Sequence, residues 1–300
     1  MNASDYIRKD SFAPPYNYGG LSEELSDFRT AEVLILPIPY EATTTYGMGT
    51  REGPGAIIRA SRNMELYDDE LGSEVYVVGI HTLPELEAVA SGPKDMIDRI
   101  YKAISDLAST GKFVVSLGGE HSITSGIVRG FKKAYPGLSV LQFDAHADLR
   151  DSYQGTPYSH ASVMRRVVEM ATIVQVGIRS MSSEEADYIK ASGIASYSAY
   201  RIARGGMKME EVLDSLSSEV YITLDLDVLD PSVMPATGTP EPGGLGWYQI
   251  LDMIREVASR KSIVGLDVVE LAPQPGNRAP DFLAAKLIYK VLGYRWKFQS

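Results

Sequence analysis

The chain contains no cysteine. Disulfides, thiolate metal ligands and a cysteine nucleophile are therefore excluded, and the compartment is left open. No apolar run approaches the roughly 20 residues of a membrane span. The opening residues, Met1-Asn-Ala-Ser-Asp-Tyr, carry no apolar stretch behind a basic flank, so no secretory leader is expected. Positive charge is scarce: 29 Lys and Arg face 39 Asp and Glu, for a net charge of −10. That balance disfavours nucleic acid as a partner and suits a small cationic substrate. Gly47-Met-Gly-Thr-Arg-Glu-Gly53 has one residue too many before its third glycine to be a dinucleotide loop, and no P-loop is present. What is there is a chain of 300 residues, 44% apolar, ample for a core. A cytoplasmic protein is expected.

Short β-branched runs recur: Val33-Leu-Ile-Leu, Val75-Tyr-Val-Val, Phe113-Val-Val-Ser-Leu, Val140-Leu-Gln-Phe, Ile173-Val-Gln-Val, Val220-Tyr-Ile-Thr-Leu and Ile263-Val-Gly-Leu. They are continuous rather than alternating, as strands buried on both faces are. Helical segments are predicted at Pro93–Thr110, 122–134, 160–170, 183–191, 208–217, 247–259 and 279–292, with a further helix starting at Pro54. Ser183 ahead of Glu185 reads as a helix start. Alternating strand and helix predicts a three-layer α/β/α sandwich with a mostly parallel central sheet. No composition break divides the chain, so 1–300 is expected to form a single domain. The longest irregular stretch, Asp227 to Gly246, follows a cluster of acids and reads as an active-site wall.

In a parallel sheet, binding residues gather where the strands end. His121 follows the 113–117 run. Asp144, His146 and Asp148 follow the 139–143 run, Asp225 and Asp227 close the 220–224 run, and Glu270 follows the 263–268 run. Positions i, i+2 and i+4 of an extended chain share a face. A straight strand would still spread Asp144 and Asp148 by about 13 Å, whereas paired metals sit about 3.5–4 Å apart. The segment must bend, and Ala145 and Ala147 are small enough to let it. Four carboxylates and two imidazoles, with no sulfur, suit Mn²⁺ best, with Fe, Co or Ni as alternatives. One Asp-x-Asp is ordinarily a turn, and a lone histidine such as His81 is ordinarily structural. Three clusters at strand ends point instead to two divalent cations and a hydrolase. A metal phosphatase or nuclease would need basic residues for phosphate, and this edge is acidic apart from Arg150.

Gly118-Gly-Glu-His-Ser122, Asp144-Ala-His-Ala-Asp148 and Asp225-Leu-Asp-Val-Leu-Asp-Pro231, in this order, resemble the signatures of the ureohydrolase family of arginases and agmatinases. The likeness extends to Thr45 through Pro54 and to Val269-Glu-Leu-Ala-Pro273. Glu120 stands where Asp is commoner, and Ala147 where Thr or Ser is. The resemblance implies an arginase-like fold and two Mn²⁺ per chain. One ion would be held by His121, Asp144, Asp148 and Asp225, the other by Asp144, His146, Asp225 and Asp227. It implies catalytic roles for Asp148, which would hold the attacking water species, for His160, which would pass a proton to the leaving amine, and for Glu270, which would grip the substrate guanidinium. By the same likeness His160 and Glu270 line the substrate site, and the chain assembles as a homo-oligomer, trimer or hexamer. Arginases hold the amino acid's carboxylate with Asn and Ser in the loop after the second signature. Here Leu149–Ser159 has no Asn. Agmatine, cleaved to urea and putrescine, is the expected substrate, as in agmatinases of the archaeal type. Asp151 or Tyr153 could meet its distal amine. Aminopropylagmatine, guanidinobutyrate, arginine and, through Arg150, formimidoylglutamate are the alternatives within the family. A non-catalytic metal-binding scaffold is the rival outside it.

Overall fold

The computed structural model describes residues 13–299. Residues 1–12, where the expectation of no leader falls, lie outside them. Among the described residues the main sheet has strands β1 (Val33–Ile38), β2 (Ile80–Thr82), β3 (Phe113–Gly118), β4 (Ser139–Phe143), β5 (Ile173–Ile178), β6 (Ala195–Ser198), β7 (Glu219–Asp225) and β8 (Ser262–Val269). Their spatial order is β2-β1-β3-β8-β7-β4-β5-β6, and every pairing is parallel. Along β1 the side chains alternate between two cores: Val33 and Ile35 enter one, Leu34 and Leu36 the other. This two-sided burial is why the runs are continuously apolar. Helices Gly53–Ser61, Trp247–Arg260 and Ala279–Gln299 pack together, and Pro93–Ala108 packs on Thr124–Ala134. The result is the expected three-layer α/β/α sandwich. Among the described residues no helix is long and apolar enough to cross a membrane.

Six of the seven apolar runs are strands. Val75–Val78 is instead a 3₁₀ turn. Gly79, at φ 78°, reverses the chain so that Ile80 takes the place beside Val33. The β6 strand, Ala-Ser-Tyr-Ser, carries no apolar signal; it is an edge strand ordered by pairing with β5. Helix 183–192 starts at Ser183, as expected, and Ser182 caps it: the Ser182 hydroxyl accepts from Glu185 N–H, and the Glu185 carboxylate accepts from Ser182 N–H at 2.8 Å. His81 is structural, bonding Ser26 O at 2.7 Å beside the Phe28 ring.

The long segment after β7 is pinned rather than loose. Asp230 accepts from Ser232, Gly243 and Gly244 N–H. Arg179 donates to the carbonyls of Asp227 and Glu241, each at 2.7 Å. Gly238 and Thr239 of this segment wall a cavity of about 220 Å³ at the carboxyl edge of the sheet.

Candidate metal centre

The four strands that carry the acidic and histidine clusters are neighbours: β3, β8, β7 and β4, in that order. They bring His121, Glu270, Asp225 with Asp227, and the Asp144–Asp148 segment to one place, although these lie up to 149 residues apart. Two overlapping groups result, His121–Asp144–Asp225 and Asp144–His146–Asp227, each with ligand atoms within 4.8 Å of one another.

The glycines of Gly118-Gly119 allow this close assembly. A Cβ on Gly119 would lie 2.1 Å from Tyr40 O, so only glycine lets the end of β3 run against the chain leaving β1. Asp148 and Glu270 both adopt positive φ, 55° and 65°. Such backbone is costly for a side-chain-bearing residue and concentrates at functional sites. At Asp148 it supplies the bend that the i, i+4 spacing requires. Ala145 and Ala147 are buried within it, and Ala147 N–H bonds Ser180 O at 3.2 Å.

Three of the four carboxylates are held by hydrogen bonds from the surrounding protein. Asp144 accepts from His146 N–H at 2.6 Å and from the Gln142 amide at 2.7 Å. Asp225 accepts from Asp227 N–H at 2.9 Å, and Asp227 from Ala145 N–H at 3.0 Å. His121 Nε2 meets Thr223 Oγ1 at 2.9 Å, and Thr223 gives its own proton to Asp267 at 2.7 Å. Thr223 therefore accepts, and Nε2 carries the hydrogen. Nδ1 is then a bare lone pair. It lies 3.1 Å from Asp144 and Asp148 oxygens and 3.4 Å from an Asp225 oxygen, buried, with no hydrogen-bond partner. A lone pair and three carboxylates converging on one point repel one another unless a cation lies between. The donor set thus fits divalent metal. His146 Nδ1 stands 2.9 Å from Asp227 and 3.7 Å from Asp144.

The charges respond as that crowding demands. Burial opposes protonation of His146, but Asp144 and Asp227 override it and push its imidazole up to about 12. Burial and the charge of Asp144 push the Asp148 carboxyl up to about 7. Burial likewise lifts Glu270 to about 8.

His121, His146, Asp148, Asp225, Asp227, His160 and Glu270 all line the cavity, and Asp144 lies buried beneath. Glu270 accepts His121 N–H at 2.6 Å. Tyr153 lines the same cavity, edge-on to the His160 ring at 5.7 Å. Asp151 does not; it is exposed and pairs with Arg166 at 3.0 Å. Arg150, the one Arg or Lys lining the cavity among the described residues, sits over the Tyr153 ring at 5.2 Å and 3.7 Å from Glu185. The supporting side chains Gln142, Thr223, Asp267 and Thr43 are not among the expected site residues. The first three had a legible signal: a polar residue inside a continuously apolar strand.

A parallel sandwich whose central strands deliver two overlapping His/Asp groups to one cavity is the frame of a binuclear metal hydrolase. The model of the Arginase family matches residues 31–293, and the chain belongs to that family of metal-dependent ureohydrolases. An N(1)-aminopropylagmatine ureohydrolase of Synechocystis is 40% identical over 281 residues, covering 91% of this chain and 92% of the relative. A protein of the same name from Thermus thermophilus is also 40% identical, over 91% and 93%. An agmatinase of Pyrococcus horikoshii is 34% identical, over 93% and 98%. Among solved structures, the agmatine ureohydrolase of Thermoplasma volcanium superposes with a TM-score of 0.86 at 31% identity, covering 99% of this chain and 98% of that one.

Proposed function

We propose that the chain hydrolyses the guanidinium group of a cationic, carboxylate-free guanidino amine to urea and the corresponding amine. The observation that carries this is the lining of one cavity by the histidine–carboxylate groups, His160 and Glu270. In this reading His121, Asp144, Asp148 and Asp225 hold one Mn²⁺, and Asp144, His146, Asp225 and Asp227 hold the other. When bound, such a pair would offset the clustered carboxylates and lower the pKa of water toward neutrality.

The remaining steps belong to the protein. Glu270 has one oxygen fixed by His121 N–H and offers the other to the substrate. A guanidinium arriving there restores the carboxylate that burial disfavours, and the charge-assisted bonds orient its carbon toward the nucleophile. Asp148 accepts a hydrogen bond from the attacking water and aligns it. His160, on another wall of the cavity, gives a proton to the leaving amine as the carbon–nitrogen bond breaks. Burial holds its imidazole below the ordinary histidine value, which makes the protonated form a ready donor.

Substrate charge follows from the lining. Arg150 is engaged by Tyr153 and Glu185, so among the described residues no free Arg or Lys of the lining awaits the carboxylate of arginine, guanidinobutyrate or formimidoylglutamate. Two readings of the amine are open to assay. N(1)-aminopropylagmatine is favoured by the 40% identical relatives. Agmatine, giving putrescine, is favoured by the Thermoplasma neighbour. Residence in the cytoplasm and a trimeric or hexameric assembly belong to the same reading; light scattering tests the assembly. The deciding experiment measures release of the product amine with Mn²⁺ from aminopropylagmatine, agmatine, guanidinobutyrate, arginine and formimidoylglutamate, with urea as the co-product of the first four and formamide of the last. Highest kcat/KM on any of the last three, each of which carries a carboxylate, would overturn the proposal. Retained activity in His160→Phe, with metal bound, would remove His160 from the proton-transferring role, and a metal-loaded protein that turns over none of the five would return it to a scaffold role.

A further inference from the structure

Glu120 is completely buried, and its carboxylate is saturated. One oxygen accepts the N–H groups of Ala42 and Thr43, both at 2.6 Å. The other accepts the hydroxyls of Thr43 at 2.8 Å and Ser122 at 2.5 Å. Backbone N–H can only donate, so this side chain acts as an acceptor. Thr43 has one hydroxyl proton, and it points at Glu120. Its Oγ1 therefore turns lone pairs toward His160, whose backbone N–H lies at 3.1 Å and whose Nδ1 also lies at 3.1 Å.

We propose that Glu120 and Thr43 form a positioning relay that keeps the hydrogen of neutral His160 on Nδ1, so that Nε2 alone exchanges protons in the cavity. This rests on the reading of His160 as the proton-transferring group. The opposite arrangement would have Thr43 donate to Nδ1. It would need a proton on a carboxyl that already accepts two amides and a serine hydroxyl, so the relay has one direction. The relay also holds the ring: backbone and Nδ1 of His160 are gripped by a single oxygen, which fixes the residue at both ends. A histidine in the wrong tautomer would present Nε2–H when neutral and could not take up the proton it must later deliver. Ring orientation and tautomer are thus set from the loop after β1, on the far side of β3 from the acidic clusters.

The test reads tautomer and rate separately. Long-range ¹H–¹⁵N correlation spectra with diamagnetic Mg²⁺ present, assigned by His160→Gln, should show wild-type His160 with Nδ1 protonated and Nε2 bare at alkaline pH. Thr43→Val should give a mixed or reversed pattern, and Thr43→Ser should restore the wild-type one. In urea assays with Mn²⁺, Thr43→Val should lose about 10- to 100-fold in kcat with KM within twofold and metal content unchanged, while Thr43→Ser stays within about threefold. Should Thr43→Val fold poorly, Thr43→Ala takes its place. Wild-type His160 with Nε2 protonated, or a Thr43→Val enzyme of unchanged kcat, overturns the relay. Full activity in His160→Gln overturns the catalytic reading beneath it, while the wild-type spectrum still decides the hydrogen-bond direction on its own.

Discussion

Asp267 touches no substrate and belongs to neither His/Asp group, yet its replacement should weaken metal binding. Its buried carboxylate accepts three hydroxyls, from Thr223 at 2.7 Å, Tyr221 at 2.8 Å and Thr124 at 3.0 Å. The first of these directs the Thr223 lone pair at His121 Nε2–H and so keeps Nδ1 bare for a metal. Asp267→Asn replaces one acceptor oxygen by a donating amide. At least one hydroxyl must then reverse or go unpaired. If Thr223 reverses, it donates to Nε2, and the imidazole hydrogen moves to Nδ1, among the carboxylates. Loss of an outer partner of a metal-bound histidine typically costs 10- to 100-fold in affinity, about 1.4–2.8 kcal/mol. An unpaired buried hydroxyl adds about 1–3 kcal/mol to the loss of metal-free stability. Mn²⁺ titration followed by electron paramagnetic resonance gives the first quantity, and urea unfolding of the metal-free protein gives the second. Thr223→Val should share the affinity loss and Thr223→Ser should not. Two Mn²⁺ bound by Asp267→Asn at wild-type affinity would refute the reasoning, because the direction of this hydrogen-bond chain is what keeps Nδ1 free.

Gly119→Ala drives a Cβ to 2.1 Å from Tyr40 O, backbone against backbone, and should cost about 3 kcal/mol or more, read as a lower urea midpoint. Lys290 is buried against Asp68 at 3.0 Å and Glu70 at 2.6 Å; Lys290→Met should destabilise by about 3–5 kcal/mol, since Asp68 is left buried and unpaired. Burial alone would lift the Glu70 carboxyl, but hydrogen bonds from Lys290 and Tyr294 prevail and hold it below its ordinary value of 4.5. The stability it contributes is therefore present above that value and is lost as pH falls through the depressed one, so acid unfolding curves of wild type and Lys290→Met should converge on acidification. Mn²⁺ at 100 times its Kd should stabilise by about 2.7 kcal/mol per site and raise Tm by about 5 °C or more; a Tm indifferent to Mn²⁺ and to chelator would count against metal binding.

The strands and the ligand clusters were legible for one reason: a sheet buried on both faces permits few polar residues, so those at its strand ends stand out. Gln142, Gln175, Thr223 and Asp267 break the same apolar runs and carry the same signal. All four are fully buried. Each answers a hydrogen-bonding need of the groups above it, as when Gln175 holds both Gln142 and Ala147 O. Thr43 was not legible. It lies in an irregular loop, and its role depends on where the end of β3 places Glu120. The edge strand β6 and the turn at Val75 escaped because pairing and a single glycine, rather than hydropathy, decide them. Asp148 and Glu270 show a third limit. No propensity predicts positive φ at an acid, and only the packed ends of four strands impose it.

These features share one logic. Both histidines with a traced proton, His121 and His160, contact a threonine hydroxyl, and each threonine is tied to a buried carboxylate: Asp267 through Thr223, Glu120 through Thr43. In each pair the carboxylate fixes the hydroxyl, the hydroxyl fixes the imidazole, and the nitrogen left over faces the cavity chemistry. The nitrogens left over differ, Nδ1 in His121 and Nε2 in His160. In the proposed function, two residues of one type, lining one cavity, are thereby given different tasks: a permanent lone pair for a cation in one, and a site that gains and loses a proton in the other. Exchanging the threonines for valine should therefore separate the two functions. Thr223→Val should weaken Mn²⁺ binding, with activity restored by excess metal, whereas the Thr43→Val deficit should persist at every metal concentration.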